Sequence, residues 1–475
     1  MLTEEAQQKT EQLSNLISTY KFLIDSPLVK FFQDDVWSYV EDLGWSEWLL
    51  DLTDEELKLL PALDLVRDNK LIVSFPDSLK NFVLKCQRNS LGFSNPFPME
   101  QSKNFTKFGM SLKKQHEVHF MGDAVRSILN NNDNNTIKQV IDFGSGKGYL
   151  PEYIALTSNA KVLGLDCEPI NTAGAVERNA LMERLWYPQH VKDNKGYVEE
   201  LAKIELTHYL PITLRLDESH ATPRFMKMML EKSGDFLKEQ NTILVGLHAC
   251  GNLSALLLQT FLESTSLSAI MSVGCCYHLI EQREVGLHHL REVYSIQPPL
   301  KSDSVTSYPL SQYNQKKPLY FSRNSLNLAS QAPERMVDSN KLPDRNIFYR
   351  AVLQVLLHDH FLPNKENVGS SATKEKDFVN YTRAALNKLK LDHTTLNDET
   401  IVSYLNKYTT AERKLYVFYQ LRTVMTRVIE SMILMDRLLY LREQGTSCEI
   451  YNLFDPVKSP RCYVIAASKP KIAQL

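Results

Sequence analysis

The sequence predicts an α/β fold: a mostly parallel sheet covered by helices on both faces, preceded by a helical region and interrupted by a long helical insertion before its last two strands. Three observations predict it. Between about residues 105 and 280, short apolar runs alternate with segments of helical periodicity. The first of those runs breaks into the glycine-rich turn Asp142-Phe143-Gly144-Ser145-Gly146-Lys147-Gly148. Helical signals then fill residues 281–445, and two more short apolar runs follow in residues 446–475.

Residues 1–100 read as helical. Thr3 is placed to cap a helix running through Glu4 and Glu5 to about Asp25, ahead of Pro27. Phe31, Phe32, Val36, Trp37 and Val40 mark a second amphipathic stretch, and Trp45, Trp48 and Leu49 read as core anchors. The segment Phe93-Ser94-Asn95-Pro96-Phe97-Pro98 is a natural boundary. Beyond it, Lys113 to Leu129 reads as a helix and Val140 to Phe143 as the first strand. A helix starts at Pro151, Val162 to Asp166 is a second strand, and Asn171 to Leu185 is a helix. Further strands are expected at Ile212–Asp217, Ile243–Leu247 and Ala269–Val273. The insertion carries helical signals at Tyr349–His360, Phe378–Leu391 and Ala411–Leu441. The strands Glu449–Phe454 and Cys462–Ala467 flank the turn Asp455–Pro460.

Bulk properties narrow the function classes. A chain of 475 residues is long for one core, so two or three structural units are expected. Lys+Arg total 54 against 56 for Asp+Glu, a net charge of -2, which gives no global attraction to nucleic acid or anionic membrane while leaving a local basic patch open. Seven scattered cysteines and an acidic start at Met1-Leu2-Thr3-Glu4-Glu5 point to reduced thiols in an intracellular protein, cytoplasmic or nuclear. Leu244–Leu262 carries no charge, but Gly246, His248, Gly251 and Asn252 interrupt it. It reads as strand, turn and helix, and no membrane association is expected. Oligomeric state is left open.

The glycine turn carries the cofactor expectation. It follows a strand and opens a helix, the context in which bare backbone receives a ligand. Its spacing is G-x-G-x-G rather than the dinucleotide G-x-G-x-x-G. Asp142 precedes the first glycine by two residues and would repel a pyrophosphate, yet it favours the ammonium and sulfonium of S-adenosylmethionine. Asp166, 18 residues past Gly148 at a strand end, suits ribose hydroxyls. The expected cofactor set is Asp142, Gly144, Ser145, Gly146, Gly148, Tyr149, Asp166 and Asp217. The sheet is then of the Rossmann-like class I methyltransferase type.

Ligands of open parallel sheets bind beyond the carboxyl ends of strands. There the sequence places Gly246-Leu247-His248-Ala249-Cys250-Gly251 and Val273-Gly274-Cys275-Cys276-Tyr277-His278. Methyl transfer to OH or NH requires loss of a proton, which a histidine can accept. His248, Cys250, Tyr277 and His278 are the expected catalytic residues. A zinc site from His248, Cys250, Cys276 and His278 is the rival chemistry. With no C-x-x-C spacing present, no metal is expected. Cys275 and Cys276 read equally as small buried packing residues. Lys113, Lys114 and His116 read either as substrate contacts or as a solvated helix face, and Arg461 either as a phosphate contact or as a staple to an internal acid.

Lys113-Lys114-Gln115-His116-Glu117, Ile141 to Leu150, Gly246 to Gly251, Ser272 to Tyr277, Asp436 to Leu441 and Ser459-Pro460-Arg461 occur in the order of a known family. From about residue 110 onward the sequence resembles the methyltransferase-like protein 25 group, in particular its branch named for a ribosomal RNA adenine dimethylase domain. The resemblance implies S-adenosylmethionine-dependent activity and substrate contacts at Lys114, His116, Glu117 and Arg461. Two departures stand out: Asn252 where the group carries aspartate, and Cys462 where it often carries asparagine. The His-x-Cys-Gly cluster is also similar to that of a tRNA ribose methyltransferase family. Leu247-His248-Ala249-Cys250 is not a motif that grips an adenine amine, so adenine dimethylation is not expected. The expected acceptor is RNA or protein; the competing expectation is a non-catalytic interaction module that retains the fold and the cofactor.

Overall fold

The computed structural model describes residues 3–63, 70–92, 109–130, 137–158, 160–193, 208–215, 222–237, 241–282, 307–317, 319–361, 375, 377–392, 394 and 396–470. The chain divides into two compact units. One comprises Met1–Gln12, Leu91–Tyr320 and Glu430–Leu475, and the other Leu13–Ser90 and Phe321–Ile429. No described helix is long and apolar enough to cross a membrane.

The first unit is built on seven strands: β1 (Gln139–Phe143), β2 (Lys161–Asp166), β3 (Tyr209–Thr213), β4 (Thr242–Cys250), β5 (Leu267–Cys275), β6 (Ser447–Asn452) and β7 (Tyr463–Ser468). Their order is β3-β2-β1-β4-β5-β7-β6. Strands β1 to β5 are parallel, and β7 runs antiparallel to both β5 and β6. This is the Rossmann-like sheet with a terminal antiparallel hairpin that the sequence predicts. Every residue of β1, β5 and β7 is buried, as expected of strands covered on both faces.

The order fixes where a ligand can sit. From β1 the chain steps outward to β2 and β3, then returns to β4 and steps the other way to β5. Right-handed crossovers in opposite directions put their helices on opposite faces and open a crevice between β1 and β4. Register deepens it. β1 pairs with β4 only as far as Asp142↔Val245, whereas β4 continues along β5 to Cys250↔Cys275. Gly246–Cys250 therefore overhangs the glycine turn as a wall. The sequence reading ended both strands earlier, at Leu247 and Val273, because the polar residues that follow do not look like strand.

The third strand also lies elsewhere than expected. It is Tyr209–Thr213, not Ile212–Asp217. Pro211 hides it from propensity, but β3 is an edge strand, where a residue without a backbone donor is tolerated. Asp217 lies outside the described residues.

Helix Leu112–Asn130 packs against helix Tyr149–Thr157. Gly122 makes this possible, since a Cβ there would overlap the Tyr153 ring. The Tyr153 hydroxyl donates to Asp123 at 2.7 Å. Helix Leu253–Glu263 packs on β4 and β5.

The second unit is helical. Two of its buried arginines bind within it: Arg422 donates to the carbonyls of Ile24 and Ser26 at 2.8 and 3.0 Å, and Arg427 forms an ion pair with Glu334. The expected first helix breaks after Thr19 and resumes at Lys21–Asp25.

Candidate active site

The glycine turn is held from below. The Gly144 and Ser145 N–H groups both donate to the Leu165 carbonyl, at 2.8 and 3.0 Å. The Gly146 N–H donates to Asp166 Oδ2 at 2.9 Å. Gly144, Gly146 and Gly148 have φ of +72°, +57° and +77°, conformations that side chains with a Cβ adopt at a cost. Two of these glycines do different jobs. A Cβ on Gly148 would run into the Tyr209 ring, so that residue is glycine for packing. A Cβ on Gly146 would meet nothing within 4 Å among the described residues, which leave the bare backbone open there.

Asp142 lies at the end of β1, 2% exposed, and its Oδ1 has no hydrogen-bond partner among the described residues. Burial pushes its carboxyl well above the usual range; Lys114 opposes this and Asp166 adds to it. A buried carboxylate oxygen without a partner is costly unless a donor arrives. Asp166 is already engaged, accepting from Gly146, from the Glu168 N–H at 2.9 Å and from Asn171 Nδ2 at 3.1 Å. That uses three of a carboxylate's roughly four acceptor positions, so its main work in this structure is to shape the turn. Tyr149 opens the following helix. Its ring lies under the Arg178 guanidinium at 4.2 Å and the Lys114 ammonium at 5.4 Å, and its hydroxyl donates to the Gly109 carbonyl at 2.9 Å. Behind it, Arg178 pairs with buried Glu152 at 2.6 Å, and burial raises that carboxyl to about 7 against the pull of Arg178.

His248 stands on the opposite wall. Its φ is +65°, at a register irregularity between Leu247 and Ala249. Such a conformation in a non-glycine strand residue stores strain and turns the side chain out of the ordinary alternation. Its Nε2 lies 2.9 Å from Glu117 Oε2, and its side chain is 28% exposed. Glu117 itself is 1% exposed. Burial alone would raise its pKa, but the hydrogen bond and charge of His248, the hydrogen bond from Ser459 and the charge of Lys113 outweigh burial and hold it below the usual value. The Ser459 hydroxyl donates to Oε1 at 2.6 Å. An ionised carboxylate only accepts, so Nε2 of His248 is the donor of this contact, and the uncharged form of the ring would carry its lone pair on Nδ1. Glu117, expected to touch substrate, instead orients the histidine.

Three thiols meet beside this pair. Cys250 Sγ and Cys275 Sγ are 2.8 Å apart, and Cys275 Sγ and Cys276 Sγ 3.7 Å. The hydrogen bond from Cys275 brings the partly exposed Cys250 thiol down to about 6, while the same bond and burial push Cys275 up.

Other expected site residues are placed differently. Tyr277 is 1% exposed and its hydroxyl donates to Glu430 at 3.0 Å, so it faces the interior and not an acceptor. Arg461 forms a buried ion pair with the same carboxylate at 3.0 Å, so of its two readings the structure gives the internal staple and not the phosphate contact. His116, 8% exposed, accepts from the Asp455 N–H at 3.0 Å and packs at a tilt against the Phe120 ring. It fastens the Leu112–Asn130 helix to the β6–β7 connection and is not presented to a substrate. Burial lowers its pKa. His278 lies exposed in the turn Tyr277–Leu279. Lys114 remains at the glycine turn through its contact with Tyr149.

Sequence reasoning missed the groups behind the site. Asp436 accepts from the Leu310 N–H, the Ser311 N–H and hydroxyl, and Asn314. Asn252 Oδ1 accepts from the Glu281 N–H at 2.9 Å and the Ser307 hydroxyl at 2.6 Å, an acceptor's role that needs no charge.

Residues 113–283 match the family model described as a methyltransferase domain, which spans β1 to β5 and the helix carrying Glu117. The protein of Homo sapiens named "Probable methyltransferase-like protein 25" is 29% identical over 463 residues, covering 76% of this chain and 75% of that protein. The Mus musculus protein of the same name is 28% identical over 461 residues, with the same coverage. A solved structure of coclaurine N-methyltransferase bound to N-methylheliamine and SAH aligns with 98% of this chain and 100% of that one. The identity is 12% and the TM-score 0.24, too low for the alignment to bear on the fold. The chain is thus similar over about three quarters of its length to proteins named probable methyltransferase-like protein 25, and its residues 113–283 match a methyltransferase domain.

Proposed function

We propose that the protein transfers a methyl group from S-adenosylmethionine to an OH or NH group of an RNA or protein acceptor. The observation that carries the reading is the buried Oδ1 of Asp142, without a hydrogen-bond partner among the described residues, beneath a glycine turn that those residues leave open at Gly146. That combination fits a ligand bringing a cationic N–H donor close to the backbone. Asp142 and the turn would hold the amino-acid end of the cofactor, and Asp166 retains one acceptor position for a ribose hydroxyl. The bound cofactor supplies an electrophilic methyl on a sulfonium.

The chain's own part is to accept a proton. His248 Nδ1 would take the acceptor's proton, and Glu117 would stabilise the resulting imidazolium through Nε2. Ser459 keeps the Glu117 carboxylate aimed. Lys114, beside the mouth of the turn, favours an acceptor carrying negative charge, which supports RNA over a neutral peptide segment.

Cofactor binding is expected to release a proton. In the free protein Asp142 holds its proton above the usual carboxyl range, and a cationic ligand favours the ionised form. Affinity should therefore fall as pH drops through the range where free Asp142 ionises, and level off above it. Calorimetry with S-adenosylmethionine in buffers of different ionisation enthalpy measures this directly. Binding with no proton release and no pH dependence would remove Asp142 from the site. Binding without methyl incorporation into RNA or protein from a lysate would favour the non-catalytic alternative.

A further inference from the structure

We propose that Cys250, Cys275 and Cys276 form a zinc site with three thiolate ligands and one open coordination position. The inference does not rest on the methyl-transfer reading. The three sulfur atoms all lie within 4.8 Å of one another, and no other His, Cys, Asp and Glu trio among the described residues gathers so closely.

The backbone is bent to produce this arrangement. Successive residues of an extended strand point to opposite sides, so Cys275 and Cys276 would ordinarily diverge. Cys276 instead takes φ of +51°, a left-handed conformation that a cysteine adopts at a cost. That turn brings the two sulfurs to 3.7 Å. A zinc–sulfur bond of about 2.3 Å gives a tetrahedral sulfur–sulfur edge of about 3.8 Å, close to the distance observed. The Cys250–Cys275 separation of 2.8 Å is longer than a disulfide bond, about 2.0 Å, so the two are free thiols. Closing around a metal would move them about 1 Å apart, and Cys250 is exposed at the strand end where such movement is cheap.

A second observation concerns charge. Zinc with three thiolates carries one net negative charge, so a buried site of this kind needs a cation nearby. Arg437 supplies it. It is 1% exposed, its Nε and Nη2 have no hydrogen-bond partner among the described residues, and a Cβ on Gly274 would lie 2.5 Å from its Nη1. Gly274 directly precedes Cys275. The neighbouring acids are committed elsewhere: Asp436 to residues 310–314, and Glu430 to Arg461 and Tyr277. Exposure of Cys250 leaves the fourth position to water or to a donor atom from the crevice, the arrangement of zinc sites that do chemistry.

The test uses the full chain, purified under reducing conditions, stripped with chelator and titrated with Co²⁺ as a spectroscopic stand-in for Zn²⁺. The expected result is about one metal per chain with a thiolate-to-cobalt charge-transfer band, displaced by Zn²⁺. C250S, C275S and C276S should each weaken binding by at least about tenfold, whereas C167S, at the end of β2, should leave it unchanged. The native protein decides the matter even where a variant fails to fold. Absence of the band in the native chain, or a band that survives in folded C250S and C276S, overturns the site.

Discussion

Gly146→Val should abolish cofactor binding while leaving the sheet folded. The substitution places branched carbon in space that none of the described residues occupies, so whatever ligand approaches the turn backbone meets it first. The cost splits into two parts. A side chain at φ of +57° strains the backbone by about 1–2 kcal/mol, which appears as a modest fall in melting temperature. Occlusion adds to this only when ligand is present, and a loss of about 3 kcal/mol or more, a hundredfold in affinity, is expected. Gly146→Ala separates the two, since it carries much of the same backbone strain with less bulk, and it should fall between wild type and valine. Calorimetry with S-adenosylhomocysteine gives the affinities and thermal denaturation the strain. An unchanged affinity in the valine variant would move the crevice away from residues 142–148.

Replacing His248 should slow transfer by about 10²- to 10⁴-fold, the usual contribution of a positioned general base, with cofactor affinity nearly intact. Asparagine is the better substitution than alanine, because it tolerates the left-handed backbone that φ of +65° demands. Glu117→Gln should have a smaller effect, about 10- to 100-fold, because an amide still fills the space but can present either a donor or an acceptor to Nε2. Both losses should fall on kcat, not on the KM for the cofactor. Single-turnover methyl transfer with labelled cofactor checks this. A Glu117→Gln enzyme with wild-type kcat would mean that the 2.9 Å contact is only structural.

Much of the architecture is legible in the sequence because strand β1, the glycines and the acids at 142 and 166 are neighbours along the chain. Their period and spacing carry the message without tertiary information. The catalytic wall is a different matter. Glu117 is 131 residues from His248, and its carboxylate reads as surface charge until the fold buries it. The same holds for Arg461, whose partner Glu430 sits in an apolar helical run and looks like a solvated face residue. Tyr277 is expected at an acceptor because it follows the end of a strand, and His116 at a substrate through the family resemblance. Both are instead consumed by internal contacts that no local pattern announces. The sulfur trio shows the same limit. Cysteines from two adjacent strands meet through register, Cys250 opposite Cys275, whereas metal motifs are normally sought through spacing within one segment. Pro211 argued locally against β3 and was overruled by its edge position.

The pairing of β5 with β7 joins Ser272 to Ile465, nearly two hundred residues later. On the ribosome, at about 5–20 residues per second, the edge of β5 waits roughly 10–40 seconds for its partner to emerge. Throughout that interval an apolar, unpaired ladder is exposed in a nascent chain. A chain cut short within the intervening stretch would lack β7 and leave that edge of β5 unpaired, the kind of edge that favours aggregation.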